Sequence, residues 1–153
     1  MVALDFPSGA EALRLADVLA GKVGVMKVGL ELFTREGPAL VRELQARGCG
    51  VFLDLKLHDI PNTVAKATEA AVALGVRFLT LHACGGPGML RAAADAARGS
   101  GTQLLAISVL TSLDASDLAA MGVAPDVGGQ VQRLARLARE NGVDGLVCSP
   151  NEL

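Results

Sequence analysis

The sequence predicts an α/β fold: a parallel sheet curled toward a barrel, with helices on its outside. Three observations predict it. Short apolar runs alternate with amphipathic segments along the chain, the pattern of repeated βα units. Those apolar runs end in polar or charged residues, among them Asp5, Lys27, Thr80 and His82. The third run splits by face: Val51, Leu53, Leu55 and Leu57 on one side, Phe52, Asp54, Lys56 and His58 on the other. A central strand of an open parallel sheet is apolar on both faces. An unpaired acid and lysine buried there would each carry a heavy desolvation penalty. The mouth of a barrel removes the conflict, because outward residues meet helices and inward ones line a pocket.

The elements follow in order. Val2 to Asp5 is a short strand. Ser8 opens a helix, with Glu11 at capping-box spacing, an apolar stripe of Leu13, Ala16, Val18 and Leu19, and Gly21 at its end. Val25 to Val28 is the second strand, closed by Gly29. A helix runs from about Pro38 to Arg47, with proline in its first turn. Val51 to Leu57 is the third strand, and Pro61 to Leu74 the helix after it. Phe78 to Leu81 is the fourth strand, followed by a helix from Pro87 to about Ala97. Gln103 to Leu110 is the fifth strand. A short helix over Asp114 to Ala120 and a longer one over Val127 to Glu140 come next. Asp144 to Cys148 is the sixth strand, and Ser149-Pro150-Asn151-Glu152 is a helix start. No linker or low-complexity tract divides the chain, so residues 1–153 are expected to form one domain.

Composition narrows the function classes. Lys and Arg number 14 against 16 Asp and Glu, a net charge of −2, which argues against a nucleic-acid binder. Tyr and Trp are absent, so base-stacking platforms are scarce. Hydrophobic residues make up 51%, enough for a sizeable core. No apolar run is long enough to cross a bilayer. The first residues look like a strand and lack a basic leader, so no signal peptide is expected and the cytoplasm is the default location. Cys49, Cys84 and Cys148 are odd in number and widely spaced, which fits small buried hydrophobes better than disulfides or zinc. With His58 and His82 the only histidines, no metal site is expected.

In barrel enzymes the C-terminal strand ends carry the active site. Asp5, Lys27, Asp54 and Lys56 are therefore expected to converge there, with Asp59 just beyond. Taken alone, Asp54 and Lys56 fit a structural ion pair as well as a catalytic one. Asp5 and Lys27 at equivalent strand ends favour function. Asp59 fits equally a cap for the helix that Pro61 begins. His58 fits a loop position, and His82 a hydrogen-bonded supporting one. The stretch Ala83-Cys84-Gly85-Gly86-Pro87-Gly88 lacks both the Walker lysine and G-x-G-x-x-G, so a tight turn is expected rather than a phosphate cradle.

The stretch Asp54-Leu55-Lys56-Leu57-His58-Asp59-Ile60-Pro61-Asn62-Thr63 resembles the signature of the orotidine 5′-phosphate decarboxylase family. The similarity extends to Ala3-Leu4-Asp5, Lys27-Val28-Gly29, His82-Ala83, Leu110-Thr111-Ser112 and Val147-Cys148-Ser149. It implies a (β/α)8 TIM-type barrel and the cofactor-independent conversion of orotidine 5′-phosphate to UMP, in pyrimidine synthesis. By the resemblance, Lys56, Asp54, Asp59 and Lys27 form an alternating charge array. Asp5 and Lys27 bind the ribose hydroxyls, and Thr111 holds the pyrimidine. Asp59, Ile60 and Thr63 reach a neighbouring subunit's site, so the active unit is a homodimer. The resemblance implies no metal and no organic cofactor. Lys56 is expected to stabilise the carbanion left by decarboxylation and then protonate it.

The family's barrel has eight strands, and about 250 residues is typical of such barrels. Only about six βα units are expected here, without the last two and the residues that grip the 5′-phosphate. Three rivals follow. A Mg²⁺-dependent sugar-phosphate decarboxylase or aldolase of the same superfamily shares D-x-K-x-x-D, but carries a metal-binding glutamate near the end of strand two, where this chain has Lys27. A Schiff-base aldolase needs a lysine poised to lose its proton, and flanking by Asp54 and Asp59 favours the ammonium instead. The third is an inactive truncated barrel fragment.

Overall fold

A computed structural model describes residues 1–152. Six strands form one parallel sheet: β1 (Val2–Ala3), β2 (Val25–Gly29), β3 (Gly50–Leu57), β4 (Phe78–His82), β5 (Gln103–Ile107) and β6 (Gly145–Val147). Their order in space is their order in sequence, β1-β2-β3-β4-β5-β6. A doubly wound sheet reverses direction at a switch point; this one never does, so it curls as part of a TIM-type α/β barrel. The helices are α1 (Gly9–Leu19), α2 (Leu30–Ala46), α3 (Pro61–Ala73), α4 (Gly86–Ala97), α5 (Ala115–Ala120) and α6 (Val127–Glu140).

The core lies between the sheet's outer face and the helices. Met26 and Val28 on β2, Val51 and Leu53 on β3, Leu79 and Leu81 on β4, and Leu104 and Ala106 on β5 are all buried. The helices answer with residues at helical spacing: Ala12 and Ala16, Leu40, Val41 and Leu44, Leu90, Ala93 and Ala97, Val131, Leu134 and Ala138. Burial of such residues, each large one contributing about 1.5–3 kcal/mol, pulls the strands into the pleat that alternation dictates. The opposite face of the strands is thereby left to the polar set.

Helix ends follow local chemistry. The Ser8 hydroxyl accepts the Glu11 amide at 3.4 Å. Asp114 accepts the amides of Ser116 and Asp117, while the Asp117 carboxylate accepts the Asp114 amide, a full capping box. Asp126 caps α6 through the Gly129 amide. The start of a helix expected at Ser149 is a single 3₁₀ turn over Pro150–Glu152, in which the Glu152 carboxylate accepts the Ser149 amide at 2.8 Å.

The second helix differs from expectation. It begins at Leu30, directly after β2, rather than near Pro38. Gly37, at φ 64° and ψ −156°, breaks it into two segments, and Pro38 starts the second. The Gly-Pro pair marks the internal break, and the stretch before it is helical without a side-chain cap to announce it. The first strand is shorter than expected and the fifth ends at Ile107. Of the cysteines, Cys49 is buried as expected, but Cys84 is exposed, since it sits in the 3₁₀ turn Ala83–Gly85 above β4.

Two predictions follow from these local constraints. Gly37 occupies a backbone region reserved almost entirely for glycine, so Gly37→Ala should lower unfolding stability by about 1–3 kcal/mol. Gly24 has ordinary φ and nothing within 4 Å of a would-be Cβ, so Gly24→Ala should stay within about 0.5 kcal/mol; urea unfolding of both compares them. The Ser116 hydroxyl, then the Asp117 and Ser116 amides, hold the Asp114 carboxyl below its ordinary 3.8. The unfolded chain therefore takes up the proton first, and the stability this group contributes fades as pH falls from that ordinary value through the lower folded one. Asp114→Asn keeps a capping oxygen without the titration, so thermal melts across that acid window should fall less steeply than in the parent.

Candidate active site

The inner-face residues of β2 and β3 meet at the C-terminal end of the sheet. Parallel pairing sets Lys27 beside Phe52 and Gly29 beside Asp54. Lys27 is thus one pleat below Asp54 on the same face, and its side chain extends upward. Its Nζ lies 3.7 Å from Asp54 Oδ2 and 3.2 Å from Oδ1 of Asp5, just past β1. On the other side, Lys56 Nζ lies 2.8 Å from the same Asp54 Oδ2. The charges alternate in a row: Asp5, Lys27, Asp54, Lys56. Asp54 is the most enclosed, its side chain 13% exposed against 22% for Lys27, 36% for Lys56 and 73% for Asp5. All four line a hollow of 240 Å³ at the strand ends, together with the start of α2.

Below this layer β3 and β4 turn phenyl rings inward. Phe52 is buried and meets the Phe78 ring edge-on at 5.8 Å. The two phenyl rings form an apolar floor beneath Asp54 and Lys56.

β3 carries an irregularity where the charges sit. Its register with β4 moves from Leu53 beside Leu79 to Leu57 beside Leu81, so four steps on β3 span two on β4. Within this bulge Lys56 adopts φ 50°, the one positive φ outside glycine among the described residues. Its amide donates to Thr80 Oγ1 at 2.9 Å, and Thr80 Oγ1 donates to Asp54 Oδ1 at 2.9 Å. Thr80 is fully buried. Sequence reasoning put Thr80 at the end of the fourth strand but gave it no partner. The missing signal was the bulge, which alternation alone does not reveal.

His82 is half-buried at the end of β4, its ring 5.5 Å from that of His58. Burial holds the His82 imidazole below the ordinary histidine value, and His58 and Lys56 push it the same way. The lowered value favours the neutral ring at pH 7.

The remaining expected residues stand apart. Asp59, Ile60, Thr63 and Thr111 are all exposed, and none lines the hollow. The Asp59 carboxylate accepts the Ile60 amide at 2.6 Å and does not cap α3, whose N-cap is Ile60 without a side-chain bond. Ile60 is 66% exposed, much like Val18 and Leu30 elsewhere on the surface. Among the described residues no ion pair joins Asp59 to either lysine of the array, and no cluster of His, Cys, Asp or Glu suits a metal ion. No described helix is long and apolar enough to cross a membrane.

The chain is similar to several known proteins. The orotidine 5′-phosphate decarboxylase of Anaeromyxobacter dehalogenans is 55% identical over 151 residues, covering 99% of this chain and 66% of that protein. The chain thus spans about two thirds of the length of the curated relatives it matches. Among solved structures, an uncharacterized conserved protein of Geobacillus kaustophilus superposes with a TM-score of 0.92 at 43% identity, covering 99% of this chain and 74% of that one. The orotidine 5′-phosphate decarboxylase of Lactobacillus acidophilus superposes at 0.88 and 38% identity, covering 99% and 71%. A family model matches residues 1–153 without interruption, and the chain belongs to the orotidine 5′-phosphate decarboxylase / HUMPS family.

Proposed function

We propose that the protein decarboxylates orotidine 5′-phosphate to UMP, a step of pyrimidine synthesis, without metal or organic cofactor. The observation that carries the proposal is Asp54 Oδ2 set between Lys56 Nζ at 2.8 Å and Lys27 Nζ at 3.7 Å. The relatives' names supply the substrate. Loss of CO₂ from C6 of the pyrimidine leaves an electron pair on a carbon with no carbonyl placed to spread it well. A fixed ammonium attracts that pair more strongly as it develops, so it binds the transition state better than the substrate. Lys56 is the proposed ammonium: it stabilises the carbanion and then donates a proton to C6, leaving a neutral amine that solvent reprotonates. Asp54 holds Lys56 in place and stands near the departing carboxylate.

Asp5 and Lys27, joined at 3.2 Å, are proposed to bind the ribose hydroxyls, one accepting and the other donating. Thr111 is proposed to hold the pyrimidine. Exposed Asp59, Ile60 and Thr63 are proposed to complete the site of a second copy, in a homodimer working in the cytoplasm. Asp59 belongs to the catalytic array in that arrangement. Lys27 disfavours the Mg²⁺-using alternative, because an ammonium at the end of β2 repels a cation.

The test is the loss of ultraviolet absorbance when the purified protein meets orotidine 5′-phosphate in EDTA. Turnover is expected to persist in EDTA and to fall at least about a hundredfold in Lys56→Ala. Absence of turnover, with activity on sugar phosphates after Mg²⁺ is added, would overturn the proposal in favour of the metal-using relatives. Lys56→Ala retaining full activity would remove Lys56 from its assigned role.

A further inference from the structure

We propose that Thr80 is a positioning residue: its buried hydroxyl ties the Lys56 backbone to the Asp54 carboxylate and so fixes where the Lys56 ammonium stands. The inference rests on the decarboxylase reading for its consequence in catalysis, but its geometry is independent of the substrate.

Four observations combine. Lys56 holds a left-handed backbone at φ 50°, a conformation that a long-chain residue keeps only when its surroundings demand it. The β3–β4 register slips between Leu53 and Leu57, so the Lys56 amide falls out of the regular ladder and donates to Thr80 Oγ1 at 2.9 Å instead. The same hydroxyl is 2.9 Å from Asp54 Oδ1. Thr80 is fully buried, so water does not compete for these bonds.

The direction of the bonds is fixed by donor counting. A backbone N–H only donates and a carboxylate only accepts, so the hydroxyl accepts from Lys56 and gives its single proton to Asp54. A ring then closes on one residue. It runs from the Lys56 amide through Thr80 Oγ1 to Asp54 Oδ1, then from Asp54 Oδ2 to Lys56 Nζ at 2.8 Å. Both ends of Lys56 are held by groups that Thr80 links. Polarisation runs one way around the hydroxyl, each bond strengthening the next. Removing the hydroxyl leaves the carboxylate without its buried donor, and the amide without its acceptor. Asp54 is then held only by its ion pairs with Lys56 and Lys27, so it can turn and the ammonium moves with it. Displacement of a reacting group by about 1 Å is enough to cost about a hundredfold in rate.

Thr80→Val keeps the shape and removes the hydroxyl, while Thr80→Ser keeps the hydroxyl. In the ligand-free protein, hydrogen exchange at the Lys56 amide is expected to quicken at least tenfold in the valine variant and to stay near the parent in the serine variant. Unchanged exchange in folded Thr80→Val overturns the inference, whatever the activity. With orotidine 5′-phosphate, kcat is expected to fall 10- to 100-fold in Thr80→Val, KM to change less than threefold, and Thr80→Ser to recover most of the rate. Equal activity of parent and valine variant, or a serine variant no better than valine despite native circular dichroism, overturns the positioning role. A parent that never turns over this substrate counts against the proposed function alone, and the exchange measurement still decides for Thr80.

Discussion

One carboxylate keeps two ammonium groups near each other above a nonpolar floor. Without Asp54, Lys27 and Lys56 would face each other across a part-buried hollow, and their repulsion there exceeds its value in water. Asp54 removes that repulsion, and it does so only at one height on β3. A one-residue shift of that strand would turn Asp54 and Lys56 toward the helices. The apolar residues on the other face of β3 therefore do more than fill space. By committing Val51 and Leu53 to the core, they commit Asp54 to the hollow.

The division between the two faces runs across the sheet. Outward positions on β2, β3, β4 and β5 are buried against helices, while polar side chains collect inward at the C-terminal ends. This arrangement is not one that maximises stability. Part-buried ions lose hydration that their pairing only partly restores, and a left-handed lysine adds strain. The return is a set of charges already in place before a substrate arrives, so little reorganisation remains for the reaction itself. The buried helix-facing core carries the stability that the inner face gives up.

The fold was legible because two periods rarely conflict in this chain. Strand runs alternate by two and helix faces recur by three or four, with Gly21, Gly75 and the capping residues as punctuation. The convergence of Asp5, Lys27, Asp54 and Lys56 was legible for the same reason: Lys27, Asp54 and Lys56 share one face of neighbouring parallel strands, and Asp5 follows just after the first strand. What escaped was local. The helical stretch between Gly29 and Gly37 has no capping side chain. Thr80 joins the array only because β3 carries extra residues opposite it, and no periodic pattern reports an irregularity in pairing. The exposed position of Thr111 was not legible either, because a strand pattern does not say which way the following loop turns.

The break at Gly37 divides labour within α2. Its first segment supplies Leu30, Glu31 and Leu32 to the hollow, and Glu36 anchors that segment by accepting the Gly9 amide at 2.7 Å. Its second segment packs Leu40, Val41 and Leu44 into the core. An unbroken helix would transmit any tilt of the core-facing half to the wall of the hollow as a rigid lever. With the axis interrupted at Gly37, the two halves need not tilt together. Sequence drift in the buttress can thus be absorbed at the joint, leaving the wall beside Lys27 and Asp5 undisturbed.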